Sequence, residues 1–130
     1  MYHCCQEEHR MERIQFITYK GKKILVEDFT NLKPGPEFIQ ILKQAQGIIG
    51  AQSPKSVLAV FDATGSAFNN DILSAMKEFT KANTPYIKAA TVVGIKGMLQ
   101  IALTAVSKFS GRDFICFSTR EQAMDWLVQQ

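Results

Sequence analysis

The spacing of apolar residues changes repeatedly along the chain, and each change marks an element. Ile14 to Tyr19 and Ile24 to Phe29 are strand-like runs on either side of Lys20-Gly21-Lys22, a tight-turn signal, so the pattern predicts a β-hairpin. Pro34-Gly35-Pro36 breaks the chain. Phe38, Ile39, Ile41, Leu42, Ala45, Ile48 and Ile49 then recur at helical spacing, and Ser53-Pro54 stops that helix. A buried strand follows at 56–61. A helix from about Asn70 is expected to bury Leu73, Met76, Phe79 and Thr80 before Thr84-Pro85 closes it.

Ile87 to Val93 reads as a third buried strand. Gly94-Ile95-Lys96-Gly97 turns into a helix reaching about Phe109, with Gly111 placed as its cap. Asp113 to Phe117 is the last predicted strand. Thr119 with Gln122 three residues on is a capping-box pattern for a final helix packing through Ala123, Met124, Trp126 and Leu127. The order β-β-α-β-α-β-α-β-α is that of a single α/β domain. Its N-terminal hairpin leads into a mainly parallel sheet flanked by helices on both faces. Residues 13–130 are assigned to that domain, and 1–12 to a disordered tail without hydrophobic periodicity.

Composition narrows the function classes. At 130 residues the chain can bury a core without disulfide or metal staples, and 46% hydrophobic with 21% charged residues is ordinary for a globular protein. No apolar run approaches the roughly 18–20 residues of a membrane span. The polar Met1–Met11 segment carries no signal-peptide core, so a cytoplasmic protein is expected. Met11-Glu12-Arg13-Ile14 reads like a natural start, which would make residues 1–10 an upstream extension. The net charge of +3 is modest. Lys20, Lys22 and Lys23 cluster at one turn without an aromatic stripe, so no nucleic-acid partner is expected. Three cysteines form no closed disulfide framework, and Cys116, inside a strand pattern, is expected to be buried. Cys4 and Cys5 with His3 and His9 match no common zinc spacing, so neither metal nor cofactor is expected.

The stretch most suggestive of function runs from Val57 to Asp71. An unbroken apolar run ends in Asp62, passes through a loop of small residues and opens a helix. In an open α/β sheet that junction lies at the carboxyl end of a strand, where ligands and partners bind. Asp62-Ala63-Thr64-Gly65-Ser66-Ala67-Phe68 is similar to the D-x-S-x-x-x-F segment of STAS domains, the anti-sigma factor antagonists and cytoplasmic tails of sulfate transporters. Ala89-Ala90-Thr91-Val92-Val93-Gly94 resembles the A-V-V-G strand of a sporulation-antagonist-like branch with ties to CRAL-TRIO lipid-binding domains. Phe114-Ile115-Cys116-Phe117 followed by Glu121-Gln122-Ala123-Met124-Asp125-Trp126-Leu127 resembles its closing F-x-x-x-x-E-A-x-x-W-L signature. The resemblance covers about residues 13–129 and implies a bacterial, non-enzymatic regulatory module that binds a protein partner such as a kinase-like or sensor protein.

One departure is informative. Phosphorylated antagonists open the helix after this strand with D-S-S-G or D-T-S-G, whereas Asn69-Asn70-Asp71-Ile72 offers no hydroxyl to accept phosphate. Ser66 and Ser74 are the nearby hydroxyls. Asp71 suits either a permanently negative mimic or a first-turn acid favoured by the helix dipole. Asp62 at a strand end also suits a phosphoacceptor, but the later strand ends carry Gly94 and Ser118, and no lysine follows the last strand. A receiver-type site is therefore excluded, and Asp62 and Thr64 are expected to satisfy donors within the loop.

Two classes of function remain. In the first, Asp62, Thr64, Gly65, Ser66, Asn69, Asn70 and Asp71, with Gly94 and Lys96 from the next strand's end, form a surface for a protein partner. Gly94-Ile95-Lys96-Gly97 before a helix could hold an anion but lacks P-loop spacing. In the second, the domain carries a lipid or small apolar ligand. The 98–109 helix has only a narrow polar stripe (Gln100, Thr104, Ser107, Lys108), and its apolar face is wider than the about 100° that packing on a sheet needs. The excess suits a homodimer contact or a ligand. Both histidines lie before Arg10, and no nucleophile elbow or paired catalytic carboxylates occur, so no enzyme is expected.

Overall fold

A computed structural model describes residues 13–130. The candidate tail, with Cys4, Cys5, His3 and His9, lies outside the described residues. Five strands form one sheet in the order of the chain: β1 (Ile14–Tyr19), β2 (Lys22–Asp28), β3 (Val57–Asp62), β4 (Ile87–Val93) and β5 (Ile115–Phe117). β1 and β2 are antiparallel, with Tyr19 opposite Lys22, and every later pairing is parallel. The helices are α1 (Pro36–Gly50), α2 (Asn70–Asn83), α3 (Met98–Ser110) and α4 (Arg120–Leu127).

The strand period of two sorts the core into two layers. Leu25, Ala59 and Phe61 point to the face covered by α1, α2 and α3; Ile24, Val26, Leu58 and Val60 point to the face covered by α4 through Ala123 and Leu127. Right-handed crossovers along a sheet in sequential order put three successive helices on one side. Only α4, which follows the last strand, is free to cover the other. β3 is buried at all six positions, as a central parallel strand must be.

α1 starts at Pro36 and buries Phe38, Ile41, Leu42, Ala45 and Ile49, with Ile39 and Ile48 at the margin. In α2 the deepest first-turn position belongs to Ile72, not Leu73, because the helix lies between α1 and α3 and turns Leu73 toward its flank. α4 is capped as the capping-box pattern predicts: the Thr119 side chain accepts from the Gln122 N–H at 3.2 Å.

Two expectations fail at the far edge of the sheet. β5 begins at Ile115, not Asp113, because its ladder with β4 runs only from Ile115 to Phe117, opposite Thr91–Val93, and the Arg112 carbonyl is taken by the Ser107 hydroxyl. Cys116 is exposed, not buried, since β5 is the edge strand and, among the described residues, pairs only with β4. α3 departs from ordinary packing too. Its main neighbour is α2, Val106 is its single fully buried residue, and Met98 and Ile101 are 79% and 67% exposed. The Phe109 ring lies 5.9 and 5.3 Å from the ammonium groups of Lys77 and Lys81 on α2.

Candidate functional site

Two constellations stand out, one at the carboxyl edge of the sheet and one beneath α3. At the edge, β2 and β3 end in the same way. Asp28-Phe29-Thr30 and Asp62-Ala63-Thr64 are in register, and in each the aspartate Oδ1 accepts from the threonine N–H at 3.0 Å and its hydroxyl at 2.6 Å. The ladder continues past the strands, with the Phe29 N–H donating to Asp62 O and the Asn31 N–H to Thr64 O, both at 2.9 Å. The period of two turns both carboxylates toward the α4 side. There Arg120 meets them: its Nε donates to Asp62 Oδ2 at 2.6 Å, and its second nitrogen lies 3.2 Å from Asp28 Oδ1. Arg13 reaches Asp28 from the strand before, at 3.6 Å, and donates to Asp28 O and Thr30 O.

This geometry sets the electrostatics. Burial pushes the Asp28 carboxyl up, but the Thr30 donors, Arg120 and Arg13 together hold it below its ordinary value. Burial likewise works against the Arg120 cation, and the hydrogen bond and charge of Asp62, with Asp28, outweigh it and raise its pKa. A cation in the first turn of a helix opposes the dipole. Arg120 is stable there because two carboxylates face it.

The loops after β3 and β4 also meet. A side chain at Gly94 would put its Cβ 2.7 Å from Thr64 Cα and 2.8 Å from Thr64 N, backbone atoms that cannot swing aside. Gly94 also has φ 79°, so it fits by shape and by conformation. Asn69 caps α2, its Oδ1 accepting from the Ile72 N–H at 2.9 Å, and the Ser66 hydroxyl donates to Ala63 O at 2.7 Å.

The second constellation is a cavity between the three-helix side of the sheet and α2 and α3. Its space for the centre of a water-sized sphere is about 50 Å³. The walls are apolar: Phe61 from β3, Phe68 from the loop, Phe79 from α2, and Leu103 and Val106 from α3. Glu27 on β2 opens into it. The residue is 4% exposed, its Oε1 has no hydrogen-bond partner, and burial raises its pKa to about 8, with Arg112 pulling weakly the other way. Arg112 lines the same cavity, donating to Thr80 O at 3.3 Å with its guanidinium 4.9 Å from the Phe114 ring centre. Desolvation lowers the Arg112 pKa, and Glu27 opposes that shift.

Among the described residues no group of three or more His, Cys, Asp or Glu side chains converges as a metal site. Nor, among the described residues, is any helix long and apolar enough to cross a membrane. No family model and no curated protein matches the sequence. The backbone does match a solved structure, that of an uncharacterized protein of the DUF3478 family from Shewanella loihica PV-4, described as having a SpoIIAA-like fold. The TM-score is 0.67 at 15% identity, covering 88% of this chain and 91% of that one. The fold is SpoIIAA-like.

This is the anti-sigma factor antagonist fold that the loop and strand motifs suggest. On the SpoIIAA-like frame the predicted loop residues divide. Asp62, Thr64, Ser66 and Asn69 spend their polar groups on the loop itself or on Arg120, while Gly65 and Gly94 provide close approach. Asn70, Asp71 and Lys96 are exposed, and no hydrogen bond or ion pair joins Lys96 to the other two. Phe68, the aromatic of the segment similar to D-x-S-x-x-x-F, packs inward edge-on to Phe38, at 5.7 Å between centres, and lines the cavity.

Glu27, Asp28, Arg112 and Arg120 are absent from the sequence-predicted site. Two signals for them exist. Asp28-Phe29-Thr30-Asn31 echoes Asp62-Ala63-Thr64-Gly65 at the end of a neighbouring apolar strand. Period two also places Glu27 on the same face as Leu25, a core position where a carboxylate is unexpected.

Proposed function

We propose that this domain is a non-enzymatic ligand-binding module, taking a small apolar molecule into the cavity beneath α3. The observation that carries the proposal is the cavity itself. Its walls are apolar and aromatic, with a few convergent polar groups, Glu27 and Arg112 foremost, which is the usual chemistry of a small-molecule site. The thin packing of α3 supports it, since a helix that buries one residue fully can shift at low cost to admit a guest. Asp62 and Thr64 spend their polar groups on each other and on Arg120, which removes them as candidates for contact with a substrate.

Native mass spectrometry of protein purified from its source tests this directly. Extra mass retained in the native spray and lost on denaturation is the expected result. Protein that carries no adduct, and that also takes up no added apolar probe, would overturn it.

A second function has its own support. Asn70, Asp71 and Lys96 are exposed and hold no partner among the described residues, and α3 exposes apolar area at Met98 and Ile101. These are the materials of a protein-partner surface or a second-subunit contact of the antagonist type. Asn70→Arg combined with Asp71→Lys is expected to abolish capture of such a partner while the fold survives with a loss of about 1–2 kcal/mol, because both side chains are exposed and two cations in the first turn of α2 oppose the helix dipole. Capture unaffected by the pair would remove this surface from consideration.

A further inference from the structure

The cavity beneath α3 contains two polar groups that the packing of the fold does not explain. Glu27 lies on the face of β2 that otherwise buries Leu25, and its Oε1 has no partner. An unsatisfied oxygen in an apolar interior is costly, and its persistence calls for a partner that the folded chain does not supply. Arg112 enters from the segment before β5, half-buried between this cavity and a surface cleft, and donates to Thr80 O, which leaves further donors of its fork free for another acceptor. Glu27 and Arg112 do not pair with each other, although both line the same space. What fits between them is a group that accepts from both.

Resting on the ligand-binding function above, we infer that the cavity holds an amphipathic monocarboxylic acid, its carboxylate gripped by the Arg112 guanidinium and the Glu27 carboxylic acid, its chain lying under α3. A planar carboxylate matches the guanidinium fork, and a neutral Glu27 can donate its proton to the second oxygen. An amine head would be repelled by Arg112. An alcohol would leave much of the fork unused. The chain has apolar walls to follow, through Phe61, Phe79, Leu99 and Leu103. The unfilled space of about 50 Å³ holds only a few atoms, so a longer chain enters as α3 yields.

This arrangement has a pH signature. Among the described residues, the groups facing Glu27 from α1, α2, α3 and the neighbouring strands are apolar or neutral, Ile49, Phe79, Thr80, Asn83 and Thr91 among them; the one charged neighbour is Arg112. Glu27 donates only while protonated. Affinity for a carboxylate therefore holds below its pKa of about 8 and falls as the pH rises through it, by about tenfold per pH unit where deprotonation is complete.

The test titrates full-length protein with octanoate, octanol and octylamine, followed through methyl resonances of Leu103, Val106 and Met76 on both sides of that pH. Octanoate is expected to bind at least tenfold more tightly than octanol below the Glu27 pKa and to weaken above it. Glu27→Gln should flatten the pH profile, and Arg112→Met should remove the preference for octanoate over octanol. Arg112→Lys, which keeps the charge and loses the fork, replaces Arg112→Met if that variant does not fold. Equal binding of octanoate and octanol, or a flat wild-type profile, overturns the carboxylate assignment while the cavity remains a ligand site. No shift with any of the three overturns both.

Discussion

Raising the pH from 4.5 through about 8 is expected to destabilise the folded protein progressively, and Glu27 is the reason. Its carboxyl is fully buried, so its pKa is raised in the folded state and returns to the ordinary value when the chain unfolds. The unfolded state then releases a proton that the folded state retains. Stability from this group is complete below the unfolded pKa and is lost up to the folded one, where the loss levels off. At about 1.4 kcal/mol per pH unit, the loss across that window is on the order of 5 kcal/mol. Asp28 and Asp125 act in the opposite sense and in another window. Their pKa values are lowered in the fold, so their contribution fades only as the pH falls below the ordinary aspartate value of 3.8. Urea unfolding across a pH series separates the two. Glu27→Gln should remove the decline above 4.5 and leave the acid limb intact. A wild-type midpoint that stays level or rises from 4.5 to 8 would show that Glu27 ionises freely, by water entry or by pairing with Arg112.

The same residue shows where sequence legibility ends. The hydrophobic pattern predicts the elements well because β3 and β4 are buried runs and α1 has an unambiguous helical period. Thr119 and Gly111 are readable as caps because capping chemistry is local. Glu27 is harder, since β2 reads Lys22-Lys23-Ile24-Leu25-Val26-Glu27-Asp28 and a charge at the end of a strand is usually solvated. Its burial depends on α2 and α3 arriving from some 50 to 80 residues away, a tertiary fact with no local signal. Cys116 fails for the converse reason. Its strand has an apolar pattern, yet its place at the sheet edge follows from topology, not from its neighbours in sequence. The 98–109 helix lies between these cases. Its unusually wide apolar face is legible; that the excess is exposed at Met98 and Ile101 instead of buried on the sheet is not.

Arg120 is where the edge of the sheet is most open to a single substitution. Arg120→Met keeps the length and apolar stem of the side chain and removes the charge, leaving Asp28 and Asp62 in register with no cation between them on the α4 side. The Asp62 side chain is only 8% exposed, so water cannot replace what is lost. Breaking a fully buried pair costs about 3–5 kcal/mol; with the Arg120 side chain 37% exposed, screening brings the expected loss to about 2–3 kcal/mol. The loss is expected to be shared with Asp62. In the Asp62→Asn background the same Arg120→Met change should cost much less, giving a coupling of about 1–2 kcal/mol in a double-mutant cycle measured by urea unfolding. A coupling near zero would mean that Arg120 acts through the packing of its stem, and that the two Asp-x-Thr turns are held by Arg13 and their own hydroxyls alone. A full coupling makes Arg120 the tie between α4 and the loop edge. Because α4 covers one face and the edge borders the α2 N-terminus, any partner that draws on Asp62 would then have to compete with Arg120 for it.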